Sequence, residues 1–336
     1  MNEKAGETMV SIKDVAKEAG VGLGTVSRVI NKSGPVKDST RVKVEKAIKA
    51  LNYKPNEVAR SFKMQQTHSV ALIIPTLWHP FFSKFAYHTE KELAANGYKL
   101  IVCNSQNEAE KEINYISMLE KNKIDGLITI TYTHDLDQYI SSHLPIVSID
   151  RHFTQDVVYV TSDNETGGKV AVKELVKRGS CELAYLGSVS AIKNESVKRV
   201  AGFKKEAELH RCNYHTLVVE EPVKDIYKTV LRFLEDHPKV DGIFAMNDKW
   251  AKIIIRTLKE LGKNVPQDVQ VIGYDGITSS KDEELTFSTI KQPVPDMAAQ
   301  AVQALIKIIK GKETEQKIVL PVTFFEGNST RSEKQG

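Results

Sequence analysis

Beyond the first sixty residues, two carboxylates, Asp150 and Asp275, and a basic set, Arg151, Lys193, Lys198 and Arg199, are the side chains whose types suggest chemistry. The carboxylates invite reading as a general acid and base. No Gly-x-Ser-x-Gly elbow and no P-loop accompanies them. Hydrogen-bond acceptors for a polar ligand are the simpler role. The basic set reads either as an anion site for a phosphorylated ligand or as a solvated edge. Nine histidines show no His-Glu-x-x-His spacing, and Cys103, Cys181 and Cys212 are scattered. No metal, no other cofactor and no enzymatic activity are therefore expected.

A second kind of chemistry lies near the N-terminus. The net charge of +4 hides an asymmetry. Residues 9–65 carry twelve Lys or Arg against five Asp or Glu, a local +7, which leaves −3 for the remainder. A basic head on a near-neutral body points to a polyanionic partner, with a solvated lysine surface as the plainer alternative. Residues 12–31 favour the first reading. Val15, Ala16 and Ala19 give one short helix an apolar face, and Val26, Val29 and Ile30 give another. Gly20 between them permits a bend that chirality penalises elsewhere. Two such helices make a helix-turn-helix, whose second helix enters the DNA major groove. The glycines of Gly20-Val-Gly-Leu-Gly24 follow no strand, which excludes a nucleotide loop.

The elements that must position these groups follow from hydrophobic periodicity. A third helix spans 39–51, with Asp38 or Ser39 as its cap. Residues 57–64 are helix-compatible and basic but too short to hold alone in water. From Ser69 strands alternate with helices: strands at 70–74, 99–103, 126–130, 145–149, 183–186, 215–219, 242–245 and 269–272, with helices at 81–96, 109–122, 165–178, 197–209, 225–236, 248–261 and 293–310. A short helix sits near Leu136. The expected fold class is α/β, an N-terminal helix-turn-helix DNA-binding domain followed by two doubly wound α/β lobes, which bind ligands at the carboxyl ends of their strands. The apolar content of 41% supports a large core. No apolar run is long enough for a membrane span, and the N-terminus lacks a signal-peptide core. The sequons at Asn31, Asn164, Asn194 and Asn328 are then chance matches, and a cytoplasmic, nucleoid-associated protein with reduced thiols is expected.

Specific strings extend this. They are Asp14-Val-Ala-Lys-Glu-Ala-Gly-Val, Thr25-Val-Ser-Arg-Val-Ile-Asn, Leu51-Asn-Tyr-Lys-Pro-Asn, Ala59-Arg-Ser, Val271-Ile-Gly-Tyr-Asp-Gly and Ser288-Thr-Ile-Lys-Gln-Pro. Together they resemble the LacI/GalR family of bacterial transcription regulators, from Met9 to Phe325. Ile149-Asp-Arg-His and Ser162-Asp-Asn-Glu-Thr-Gly-Gly are most similar to the sucrose- and ribose-type sugar-operon repressors of Gram-positive bacteria. The resemblance implies lobes of periplasmic-binding-protein type and this division: a disordered lead at 1–8, the DNA head at 9–55, a hinge helix and linker at 56–67, an N-terminal lobe at 68–162 with 293–320, and a C-terminal lobe at 163–292 with 321–330.

It also implies the site residues. DNA contacts fall on Leu23, Gly24, Thr25, Ser27, Arg28 and Asn31, and in the hinge on Asn56, Ala59, Arg60 and Phe62. Arg28 can pair bidentately with guanine or meet phosphate, and Thr25 and Ser27 suit phosphate. The family's usual serine is Gly22 here, and Leu23 and Gly24 offer no donors. Readout therefore leans on Arg28, apolar contact and the hinge, where Phe62 stands at the family's minor-groove wedge. Effector contacts fall on Pro80, Phe82, Asp150, Arg151, Glu195, Arg199, Asn247, Asp275 and Gln292. Carboxylates, an arginine and an amide around an aromatic face suit a polyhydroxylated ring. The implied protein is a homodimeric repressor of a carbohydrate operon, bound to double-stranded operator DNA and released by a sugar or sugar phosphate. A catabolite regulator with a phosphorylated carrier protein as corepressor, and a purine-type corepressor-dependent repressor, are the alternatives. The polar stretch from Glu326 carries no heptad tail for tetramerisation.

Overall fold

The computed structural model describes residues 10–54, 66–133, 136–141, 144–278, 280 and 282–333. The chain divides into two compact units at Thr67/His68.

The first unit is a three-helix bundle of α1 (Ile12–Ala19), α2 (Leu23–Asn31) and α3 (Asp38–Ala50). Ser11 and Asp14 form a capping box on α1: the Ser11 hydroxyl accepts from the Asp14 amide, and the Asp14 carboxylate accepts from the Ser11 amide at 2.8 Å. Gly20 closes α1 with φ 65°, the left-handed geometry the sequence required. Val15, Ala16, Val26, Val44 and Ala47 form the core. The cap of α3 is Lys37 rather than Asp38 or Ser39, with no side-chain hydrogen bond. Asp38 instead opens the helix, where its charge favours the positive end of the dipole.

The second unit holds two six-stranded sheets. The first comprises β1 (Ser69–Ile74), β2 (Lys99–Asn104), β3 (Gly126–Thr129), β4 (Ile146–Ile149), β5 (Val158–Ser162) and β11 (Lys317–Leu320), in the order β11-β5-β4-β3-β1-β2. All its pairings are parallel. Helices α4 (Pro80–Ala95) and α5 (Ala109–Glu120) are its crossovers, and a 3₁₀ turn covers Leu136–Tyr139. The second sheet comprises β6 (Glu182–Val189), β7 (Asn213–Glu220), β8 (Gly242–Ala245), β9 (Gln270–Asp275), β10 (Thr289–Lys291) and β12 (Thr323–Phe325), in the order β12-β10-β9-β8-β6-β7. Only β12 runs antiparallel to its neighbour. Its helices are α6 (Asn164–Lys177), α7 (Lys198–Leu209), α8 (Ile226–Asp236) and α9 (Asp248–Glu260). Helix α10 (Val294–Ile309) returns to pack on α4 and on β3, β4 and β5 of the first sheet. The chain thus passes between the sheets three times, after β5, after β10 and between β11 and β12.

Four strands lie beyond the sequence expectation: β5, β10, β11 and β12. The last three are only three or four residues long. Too short to show a period, they are recruited by open sheet edges rather than by their own propensity. No helix among the described residues is long and apolar enough to cross a membrane.

Candidate functional site

On helix α2, the expected DNA-reading helix, Val26 anchors the buried side. Leu23, Gly24 and Arg28 are exposed, and Thr25, Ser27 and Asn31 are half-buried. Asn31 donates from Nδ2 to the Ser27 hydroxyl at 3.2 Å, so these two polar groups engage each other. Gly22 precedes α2 with no side-chain cap. Asn56, Ala59, Arg60 and Phe62 lie outside the described residues.

In the second unit the carboxyl ends of strands from both sheets converge on a cleft of about 410 Å³. Asp150 follows β4, Asp275 ends β9, Asn247 follows β8 and Gln292 follows β10. Asp150 and Asp275 both adopt left-handed backbone, with φ 57° and 116°. That geometry strains residues other than glycine and recurs where a side chain must be aimed.

A chain of contacts joins these carboxylates across both sheets. The Thr161 hydroxyl donates to Asp150 Oδ1 at 2.6 Å and accepts from Asn164 Nδ2 at 3.2 Å. Arg199 Nε donates to Asn164 Oδ1 at 2.7 Å, and its Nη1 to the Met246 carbonyl at 2.7 Å. The guanidinium lies 3.6 Å over the Tyr274 ring. The Tyr274 hydroxyl is 3.2 Å from the Ser162 hydroxyl, which donates to Gln292 Oε1 at 2.8 Å. Gln292 Nε2 closes the series on Asp275 Oδ1 at 2.7 Å. Thr161, Ser162, Asn164 and Gln292 all border chain crossings, so the groups facing the cleft are tied directly to the segments that join the two sheets.

The electrostatics follow from burial. Burial raises Asp150 against the opposing Thr161 hydrogen bond and Arg199 charge. It raises Asp275 to about 6, again against Arg199. Asp248 rises to about 7 through burial and the nearby Asp275 charge. It still accepts from the Gly276 and Ile277 amides and the Thr289 hydroxyl. His79 is lowered to about 4 by burial, then by Lys249 and Arg199, so it is neutral near pH 7. Its Nδ1 accepts from the Phe81 amide at 3.3 Å, which leaves the proton on Nε2. His79, Tyr132 and Asn247 thus bring neutral polar groups to the cleft, Phe81, Phe82 and Trp250 apolar faces, and Asp150 and Asp275 acceptors.

Phe82, Asp150, Arg199, Asn247, Asp275 and Gln292 line this cleft; Pro80, Arg151 and Glu195 do not. Pro80 is the first residue of α4, behind His79. Arg151 turns into its own lobe, donating from Nη1 to Thr131 Oγ1 at 3.0 Å and the Thr133 carbonyl at 2.9 Å. Its Nη2 meets Asp137 at 3.3 Å, and the group stacks 4.3 Å over Phe153. Glu195 pairs with Lys198 at 2.6 Å, while its amide donates to the Asp150 carbonyl. Lys193 is exposed. Of the basic set, only Arg199 lines the cleft.

Sequence reading missed His79, Tyr132, Ser188, Asn194, Glu221, Lys249 and Trp250, which also line it. The available signal was position, since each stands at or shortly after the end of a strand. A second cavity of about 390 Å³ lies beneath β4 and β5, lined by Leu144, Ile146, Val157 and Ile308 with Asp156 and Lys312. It sits at the amino ends of the strands, away from the buried polar chain. Among the described residues no cluster of three or more His, Cys, Asp or Glu could hold a metal.

The comparisons with known proteins bear on both units. Residues 11–56 match the model for bacterial regulatory proteins of the lacI family. Residues 67–328 match that for periplasmic binding proteins and the sugar binding domain of the LacI family. The chain belongs to the LacI family. It is 33% identical over 324 residues to the sucrose operon repressor of Streptococcus mutans, covering 96% of this chain and 99% of that one. It is 35% identical over 328 residues to the ribose operon repressor of Bacillus subtilis, covering 97% and 100%. The lac repressor dimer bound to operator and the anti-inducer ONPF shares the fold, with TM-score 0.84 at 24% identity over 96% of this chain and 99% of that chain. These LacI-family relatives are operon repressors.

The raised carboxylates predict a pH response. Folded-state values of about 6 for Asp275 and about 7 for Asp248 lie above the ordinary carboxylate value near 4. The folded state therefore holds these protons more tightly than the unfolded chain. Their stabilisation is complete below about pH 4 and is lost as pH rises through 6 and 7. Thermal unfolding of the wild type and Asp275→Asn at pH 5.5 and 8 should show the wild type losing on the order of 1 kcal/mol more than the variant. Equal losses would remove Asp275 as the source.

Proposed function

We propose that this LacI-family chain represses an operon for carbohydrate uptake or catabolism, and that a sugar in the cleft releases it from operator DNA. The observation that carries the reading is the cleft itself. Acceptors at Asp150 and Asp275, donors at Arg199, Asn247 and His79, and aromatic faces at Phe82 and Trp250 match the alternating polar and apolar surfaces of a sugar ring. Three carboxylates, Asp150, Glu221 and Asp275, face two cations, Arg199 and Lys249, in that lining. The balance favours an uncharged sugar over a phosphorylated one. The names of the sucrose and ribose operon repressors support the same class.

The proposed mechanism is a coupling between two sites. A homodimer places two α2 helices on neighbouring major grooves. Sugar closes the cleft, the crossings beside Ser162 and Gln292 hinge, and the paired spacing of the two α2 helices on the operator is lost. A coupling of ~1–3 kcal/mol changes operator affinity roughly 5- to 150-fold, and by linkage the operator weakens sugar binding by the same factor.

Anisotropy titration of the DNA upstream of the chain's own gene, with and without a panel of free sugars, sugar phosphates and purines, tests this. One free sugar should raise the Kd within that range. Tightening by a purine, or only by a phosphorylated carrier protein, would replace release by corepression. Indifference to every compound would remove the effector role of the cleft.

A further inference from the structure

We propose, on the strength of the operator-binding role, that Leu23 recognises the C5-methyl group of a thymine in each operator half-site. Leu23 is the first residue of α2; 46% of its surface is exposed, and it is not among the side chains packed on the three-helix core. It heads a stripe with Ser27 and Asn31 at four-residue spacing, one face of the helix. The two polar members of that stripe bond to each other, so Leu23 is its apolar end. The adjacent position, Gly24, has no side chain, and a Cβ placed there would meet nothing within 4 Å. Packing inside the domain therefore does not demand glycine at that position. Its effect is to leave Leu23 standing clear at the end of the helix that first meets base edges.

Base chemistry then selects the partner. Every major-groove edge presents donors or acceptors, and only thymine adds a methyl group. Leucine offers no hydrogen bond, and covering a polar edge with it strips water without replacement. The thymine methyl is the one feature whose burial against leucine is favourable. The charge needed to hold the helix in the groove comes from the domain, whose net charge over residues 9–65 is +7. Arg28, exposed five residues further along, supplies the polar readout. Leu23 is thus a specificity residue whose contribution is apolar, beside one guanidinium.

The full-length protein is used to select duplexes from a randomised library. Each thymidine of the selected duplex is then replaced by deoxyuridine, which keeps the base pair and lacks the methyl. One symmetry-related thymidine pair should show a loss of about fourfold per half-site, the ~0.8 kcal/mol of one buried methylene-sized group, and roughly fifteenfold when both are replaced. In Leu23→Ala the same replacement should change affinity less than twofold, while Leu23→Met retains the penalty. The thermal midpoint of Leu23→Ala should match the wild type, because the side chain is exposed. A deoxyuridine scan with no sensitive position overturns the proposal, as does a penalty that persists in Leu23→Ala. If selection enriches no duplex, the operator-binding role fails, and this proposal with it.

Discussion

Arg199→Ala should abolish the proposed sugar response and leave a markedly less stable second unit. The guanidinium is only 5% exposed and makes two hydrogen bonds, to Asn164 and to the Met246 carbonyl, while stacking on Tyr274. Its charge also opposes the burial that raises Asp150 and Asp275. Removing one partner of a buried charge network destabilises by ~3–5 kcal/mol, because the remaining charges are left uncompensated. Those carboxylates should respond by taking up protons, which turns acceptors into donors at the ligand. Sugar affinity should fall by ~2–5 kcal/mol, roughly 30-fold at the least. Arg199→Lys separates charge from geometry. It keeps the cation but cannot reproduce the planar fork that reaches Asn164 and Met246 while lying flat on Tyr274. Calorimetric titration and thermal unfolding of both variants read the two effects separately. If Arg199→Lys binds sugar like the wild type, charge alone is sufficient and the stacking geometry is incidental.

Gly202→Ala should be the more damaging of two glycine-to-alanine changes that sequence propensity alone would call stabilising. Gly168 on α6 and Gly202 on α7 lie where the two helices touch backbone to backbone. A Cβ at Gly202 would stand 2.0 Å from the Glu165 carbonyl oxygen, and one at Gly168 would stand 2.1 Å from the Arg199 carbonyl oxygen. Both obstacles are main chain, so no side chain can swing away and the helices must separate. Overpacking of this kind costs about 3 kcal/mol, the upper end of the usual range. In a unit of this size the thermal midpoint should fall by roughly 6–12 °C. The displacement also moves α7 and with it Arg199, so the proposed sugar binding should weaken together with stability. Gly24→Ala is the contrast. It sits in exposed helix with open space around the new methyl, and should stabilise α2 by ~0.5–1 kcal/mol. Equal midpoints for Gly202→Ala and the wild type would mean that the α6–α7 contact is loose enough to give.

Whatever rests on neighbours along the chain was legible in the residues alone. The spacing of Val15, Ala16 and Val26 and the glycine at position 20 were enough for the α1–α2 turn, because period and backbone freedom are local properties. The alternation from Val70 onward was enough for two α/β lobes, because strands buried on both faces read as uninterrupted apolar runs. The sheet edges and the aim of side chains depend on packing between elements distant in the chain. Strands β10, β11 and β12 exist because neighbouring strands offer unpaired backbone, which a three-residue segment does not advertise. Arg151 and Arg199 were equivalent as cations in sequence. The left-handed turn at Asp150 sends one into its own lobe, towards Asp137, while the seating of α7 against α6 brings the other to the cleft. His79, Glu221 and Trp250 meet only because parallel strands bring their carboxyl ends to the same side, and proximity between residues so far apart in the chain is a property of topology that no local pattern carries.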